Sequence, residues 1–359
     1  MSSKPILLAY FAGWKAWEHL PLERDAQRLT HICIAFANIV GDGQVAWFKG
    51  DDGHPVDPAP HAERLYRMRE INPDLKLLIS IGGWAADGFS DAALDAGTRE
   101  RFSQAAIEFM KLYQLDGIDL DWEYPSNDMS GIKARPEDKR NFTLMLADLR
   151  QRLDALSDAE GRKGSDRYLL TIAAGAGQYY LDGVEMPEVA RLCDFVNLMT
   201  YDFYNGWATR AGHHTNLYNT PVDPSGDSCA KSVKLFLENG LPRDKLVLGC
   251  AFYGRSLKGV GNAGLGAPGT PKSNGGYSYS EIAALLRAGD GRTVRHWDDD
   301  AKAPWLLVDG DQFVSYEDVE SIGLKADFVK REGLAGAFFW EYTEDADDQL
   351  LATLWQKLG

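Results

Sequence analysis

Short apolar runs recur along the chain with longer amphipathic stretches between them, and this alternation constrains the fold more than any other feature. The runs are ILLAYF (6–11), HICIAFANI (31–39), KLLISIG (76–82), GIDLDWE (117–123), YLLTIAA (168–174), FVNLMTYDF (195–203), KLVLGCAFY (245–253) and AGAFFWEY (335–342). The first, third, fourth and fifth are almost continuously apolar or β-branched, as parallel strands covered on both faces must be. Between runs, segments such as RERFSQAAIEFMKLYQL (99–115) and KRNFTLMLADLRQRLDAL (139–156) carry helical periodicity. Eight strand–helix units in 359 residues predict an α/β chain folded as a (β/α)8 TIM barrel.

One interval breaks the rhythm. From Ser256 to Ile322 the chain has Gly-rich turns (VGNAGLGAPGTPKSNGG), a short helical piece (SEIAALLRA) and two strand-like stretches, TVRHWDD and PWLLVD. A structureless loop of that length is improbable. A small α+β insertion between strands seven and eight is expected instead. The chain then divides into 1–255 (first part of the barrel), 256–322 (insertion) and 323–359 (closing part). Ser315 followed by Asp318 reads as a capping box opening the last crossover helix, which runs to Arg331.

Composition excludes several function classes. Net charge is −15 with no basic cluster, which argues against nucleic acid or an anionic membrane as partner. The apolar runs are far too short to span a bilayer. Four cysteines are too few for a disulfide framework, and Cys33 and Cys250 lie in strand-like runs where buried thiols are the rule. The N-terminus, MSSKPILLAYFAGW, has no basic segment followed by a long apolar one and a cleavage site. The expectation is a cytoplasmic protein, or a secreted one whose leader is removed or whose route is non-classical. A monomer is expected. Ten Trp and fifteen Tyr suit a partner with flat apolar faces, such as a sugar.

The most informative segment is Leu115–Pro125, LDGIDLDWEYP. Side chains alternate along a strand, so Asp119, Asp121 and Glu123 share one face while Ile118, Leu120 and Trp122 share the other. In a barrel the apolar set meets the helices and the acids point inward, Glu123 nearest the C-terminal rim where barrel active sites lie. Carboxylates ~6.6 Å apart along a strand and shielded from water repel one another, so at least one keeps its proton and can serve as a general acid. A solvated acidic edge fits badly with the intervening Ile, Leu and Trp. A divalent metal lacks a nearby histidine to complete its ligand set. By spacing alone, Glu123 would be the acid and Asp121 a base activating water, which implies inversion.

Asp116, Asp119, Asp121 and Glu123 match DxxDxDxE, the signature of family 18 glycoside hydrolases, the chitinases and their relatives. The chain resembles that family from residue 5 to about 355. Ser80–Gly83 (SIGG) is similar to its SxGG, and Met199–Asp202 (MTYD) to its MxYD. Tyr10 and Phe11 resemble its first-strand aromatics, and Trp340 its eighth-strand tryptophan. Phe252–Arg255 (FYGR) before a long excursion resembles the subgroup with an α+β insertion.

The resemblance implies a retaining reaction in which the substrate's own N-acetyl oxygen attacks C1, an exception to the two-carboxylate rule. Glu123 would protonate the glycosidic oxygen and then activate water; Asp121 would orient the acetamide; Asp119 would share a proton with Asp121; Asp116 would be structural. Tyr201 would donate to the acetamide oxygen, Asp202 would bind the distorted sugar, and Met199 would form an apolar floor. Ser80 would hydrogen-bond the inner aspartates, and Gly82 and Gly83 would leave room for the sugar. Trp340 would lie under the scissile sugar, with Trp84 and Trp207 as leaving-group platforms. Tyr253 and Arg255 would contact the sugars, and Tyr124 would line the cleft. His213 and His214 read as exposed loop residues without a ligand role. No cofactor or metal is implied, and the expected partner is chitin or N-acetylglucosamine oligomers. AADG after Trp84 departs from processive relatives, which carry another aromatic there. The alternatives are an endo-β-N-acetylglucosaminidase acting on N-glycan cores and a non-hydrolytic chitin-binding lectin, against which the presence of Glu123 argues.

Overall fold

The computed structural model describes residues 4–15, 17, 20–48, 59–271 and 276–359. Eight parallel strands form the barrel: β1 (Ile6–Ala12), β2 (His31–Val40), β3 (Lys76–Gly82), β4 (Gly117–Asp121), β5 (Leu169–Gly175), β6 (Phe195–Met199), β7 (Leu246–Ala251) and β8 (Gly336–Trp340). Neighbours pair in sequence order, and β1 closes the ring by pairing with both β2 and β8. Outward-facing apolar side chains meet the helical layer: Trp122, just past β4, stacks on Phe89 and packs edge-on against Phe142 of helix Asp138–Ala159. Burial of such aromatic surface, not helix propensity, holds the outer ring in place.

Four strands end sooner than the apolar runs suggest. β4 stops at Asp121, β6 at Met199, β7 at Ala251 and β8 at Trp340. Beyond each end aromatic residues continue the run, but the chain has reached the rim and leaves the barrel sheet. Asp202, for example, takes the left-handed conformation with φ 60°, which an extended strand cannot contain.

The excursion after β7 forms a second, antiparallel sheet. Its strands Tyr253–Lys258, Gln312–Ser315, Ala303–Val308 and Thr293–Asp298 lie in that order. Helix Tyr279–Ala288 is opened by a Ser278–Glu281 capping box. Leu257, Val260, Leu307 and Phe313 give this lobe an apolar cluster of its own. The lobe starts at Tyr253 and its last strand ends at Ser315, so the expected limits of 256 and 322 shift. Tyr253 hydrogen-bonds as a sheet strand, and residues from 319 onward already belong to the crossover helix Val319–Glu332. That helix has its capping box one turn later than expected. Asp318 is the N-cap and Ser321 its partner, while Ser315 is spent in the sheet. Residues 272–275 of the Gly-rich stretch lie outside the described residues.

A fully buried ion pair, Lys325 with Glu317, sits beneath the junction of lobe and barrel. Thr215 receives a hydrogen bond from Lys325 at 2.6 Å, tying the loop after β6 to the same point. Among the described residues, no helix is long and apolar enough to cross a membrane. Cys33, Cys193, Cys229 and Cys250 are buried free thiols.

Candidate active site

Asp119 lies at mid-depth in the barrel and is fully buried. Four neutral donors from four other strands converge on it. Tyr10 (2.9 Å) and Ser80 (2.7 Å) donate to Oδ2, Thr171 (2.6 Å) and Asn197 (3.4 Å) to Oδ1. Register explains the convergence, because Ser80 and Thr171 are the direct cross-strand partners of Asp119. Burial raises its pKa and the four bonds pull it back. Ser80 donates to Asp119 and has no hydrogen bond to Asp121 among the described residues, so of the two inner aspartates it serves Asp119.

Asp121, one strand step nearer the rim, has no such support. Its Oδ1 is buried without a hydrogen-bond partner. Burial, then repulsion from Glu123 and Asp119, holds its carboxyl well above the usual range. Glu123 is 9% exposed. Burial pushes it up to about 7; hydrogen bonding from Tyr124 opposes this and the charge of Asp202 adds to it. Asp121 and Glu123 therefore titrate as one unit that retains a proton near neutrality. An unpartnered acceptor beside a protonated acid is the chemistry of proton delivery with charge stabilisation next to it.

The cleft above them encloses about 2570 Å³, room for several sugar rings. Of the expected residues, Tyr10, Gly82, Gly83, Trp84, Asp121, Glu123, Tyr124, Met199, Tyr201, Asp202, Trp207, Tyr253, Arg255 and Trp340 all line it. Trp84 and Trp207 are 46% and 65% exposed, with ring centroids 5.5 Å apart, which presents aromatic faces to solvent that a core would have covered. Asp116 lies at the opposite end of the barrel. It receives Arg69 at 2.8 Å and the Leu77 amide at 3.0 Å, a structural role as expected.

Three expectations change, and Asp202 and Arg255 prove to be joined. Phe11 does not reach the cleft: it points outward, stacked on Tyr342 at 4.2 Å and edge-on to Trp17, because strand alternation gives the inward position to Tyr10. Gly82 and Gly83 do line the cleft, yet a side chain at either would strike protein. At Gly82 it would meet the Asp121 carbonyl, and at Gly83 the Phe36 ring, and both have positive φ. Their smallness lets β3 lie close to its neighbours and does not reserve space for sugar alone. Arg255 is bidentate to Asp202 at 2.7 and 2.6 Å, so the two form one unit of the wall. His213 and His214 are buried, 2% and 0% exposed. His213 Nε2 lies 3.2 Å from Asp298 of the lobe, and His214 Nδ1 lies 3.6 Å from Asp202.

Sequence reasoning missed Trp14, Phe36, Phe48 and Tyr179, which also line the cleft. Trp340 stacks on Phe36 at 5.5 Å and approaches Trp14 at 6.2 Å. Trp14 carries the same signal as Trp84, a tryptophan just past a strand end. Phe36 lies inside β2 and has no such signal. Lys15 pairs with Glu344 and, at 3.4 Å, with Glu341, linking the β1 and β8 ends of the rim. Among the described residues, no group of three or more His, Cys, Asp or Glu side chains is placed to hold a metal ion.

Fold and site together define a (β/α)8 barrel with an acid–base carboxyl pair under an aromatic-walled, saccharide-sized cleft. The family model for glycosyl hydrolases family 18 matches residues 6–345, and the chain belongs to that family. It is 34% identical to Chitinase A1 of Niallia circulans over 96% of this chain and 57% of that protein, so it spans little more than half of that relative. It is 33% identical to Chitotriosidase-1 of Mus musculus, over 95% and 73% respectively. Among solved structures it is similar to a family 18 N-acetylglucosaminidase from Paenibacillus barengoltzii, with TM-score 0.87 and 41% identity, covering 99% of this chain and 100% of that one.

Proposed function

We propose that the protein is a retaining, substrate-assisted hydrolase of β-1,4-N-acetylglucosaminide bonds in chitin oligomers. The observation that carries this reading is the pairing of Glu123 at the rim with Asp121 one step inward on the same strand and the same side. A double-displacement enzyme needs a free carboxylate across the sugar from its acid. Asp202, a partly buried acid facing the cleft, is held at both oxygens by Arg255. This supports the substrate's own acetamide as the nucleophile.

In this reading Glu123 protonates the departing oxygen while the acetamide oxygen closes on C1. Asp121 faces the acetamide nitrogen as positive charge grows there, and its orphaned Oδ1 gains the donor it lacks in the free enzyme. Tyr201 directs its hydroxyl to the attacking oxygen. Glu123, now ionised, takes a proton from water arriving on the same face. Trp340 and its aromatic neighbours carry the sugar bearing the acetamide, and Trp84 and Trp207 carry the leaving sugar. Orientation of this kind is worth several kcal/mol, on the order of 7–11 at best.

NMR of fresh product tests the mechanism. The β anomer must form first, and a fully deacetylated chitosan must be nearly inert. An α anomer at early times, or ready cleavage of glucosamine–glucosamine bonds, would return Asp121 to the role of base on water. The full-length likeness to an N-acetylglucosaminidase favours short oligomers shortened from an end. A chromatographic time course on the tetramer separates stepwise loss of single units from mid-chain cleavage.

A further inference from the structure

We propose that His214 is a positioning residue of the active site, a neutral imidazole whose Nδ1–H holds the Asp202 carboxylate in place beside Glu123. This rests on the reading of Glu123 as the acid given above.

His214 is completely buried, and neither ring nitrogen has a hydrogen-bond partner within ordinary length among the described residues. A buried polar nitrogen left unpaired is costly, so such a group calls for an explanation. The polar group that Nδ1 faces is Asp202 Oδ1, at 3.6 Å. The same Oδ1 receives Arg255 Nε at 2.7 Å. The ring is seated against Tyr253, centroids 5.2 Å apart.

The backbone is fixed too. The His214 amide donates to Ser315 Oγ at 2.9 Å, and its carbonyl receives the Phe203 amide at 3.1 Å. Phe203 directly follows Asp202, so the loop doubles back and places the imidazole behind the carboxylate. Ser315 and Arg255 are direct partners in the antiparallel pairing of the lobe's sheet. Residues opposite one another in such a pair project to one face. A single rung of the lobe thus supplies Arg255 to one side of Asp202 and anchors His214 on the other.

This clamp matters because Asp202 is strained and consequential. It sits at φ 60°, a conformation non-glycine residues adopt at a cost, and its charge raises the pKa of Glu123. The charged and titratable groups facing His214 are Asp202, Arg255, Tyr253 and Lys325, and burial together with the two cations favours the neutral ring. A neutral Nδ1–H donor leaves the Asp202 charge intact, whereas an imidazolium would cancel part of it.

Two variants and one spectrum test this. His214→Asn keeps an N–H donor close to the Nδ1 position; His214→Leu keeps the bulk and removes the donor. On a chitin oligomer we expect kcat to fall about tenfold or more in His214→Leu, with the alkaline limb of the pH profile moved to lower pH. His214→Asn should recover most of both. If the ring merely fills space the order reverses, with Leu near the parent and Asn the poorer enzyme, and the proposal fails. Should His214→Leu not fold, 15N spectra of labelled histidine in the parent protein decide, with His214 assigned by its loss in His214→Asn. A proton on Nδ1 between pH 6 and 8 supports the assignment; a bare Nδ1 overturns it. The spectrum does not depend on turnover, so it remains decisive even if the hydrolytic reading is wrong.

Discussion

Replacing Glu123 by glutamine should do two opposite things, and the structure sets the size of each. The change keeps the shape of a side chain only 9% exposed but removes proton transfer, commonly worth 10²–10⁴-fold. We therefore expect kcat on a chitin oligomer to fall by at least about 10²-fold, with oligomer binding by calorimetry largely retained. Stability should move the other way. Glu123 is raised from its ordinary value of 4.5 to about 7. Folding therefore costs nothing extra below pH 4.5, where both states are protonated. The penalty grows between pH 4.5 and 7, and is complete above 7. At ~1.4 kcal/mol per pH unit, the ionised carboxylate destabilises the folded state by about 3 kcal/mol. Glutamine does not ionise, so the variant should gain on the parent as pH rises. Denaturant unfolding of both proteins at pH 4.5 and pH 8 measures this directly. A variant that keeps more than a tenth of parental kcat, or whose stability relative to the parent is the same at both pH values, would refute the reasoning.

The kcat/KM profile should fall on its alkaline side near pH 7 as Glu123 loses its proton, and Asp202→Asn should move that limb lower by removing a charge that raises it; an unmoved limb would contradict the field assigned to Asp202. Trp84→Ala and Trp207→Ala should each raise KM for oligomers about two- to tenfold, an aromatic contact being worth roughly 0.5–1.5 kcal/mol. Because both rings are exposed, unfolding free energy should change by less than about 0.5 kcal/mol, and a KM unchanged in both variants would remove them from the binding surface. Lys325→Met should cost about 3–5 kcal/mol in denaturant unfolding, because it strands the buried Glu317 carboxylate. Adding Glu317→Gln should restore much of that loss, and equal losses for the single and double variants would mean that the pair contributes only packing.

The barrel and its acid column were legible in the sequence because both follow from local periodicity. A strand's two-residue repeat is enough to put Asp119, Asp121 and Glu123 on one side and Ile118, Leu120 and Trp122 on the other. The near-continuous apolar runs marked strands covered by helices. The same local logic located Trp84, Trp207 and Trp340 at strand ends, and would have found Trp14 had it been applied to β1. It erred where the rule was set aside, as at Phe11, whose outward position follows from that of Tyr10. What only the tertiary structure decided is what strands do to one another across the barrel. Nothing local says that Tyr10, Ser80, Thr171 and Asn197 all end on Asp119, leaving Asp121 the unsupported member of the column. Nor does a polar loop reading AGHHTN disclose two buried histidines. They are buried because the lobe, folded from residues some forty to a hundred positions further along, lays its sheet against that loop. Periodicity reports which face of an element is apolar. Which polar group is buried, and against what partner, depends on contacts between distant segments, and those exist only once the chain has closed.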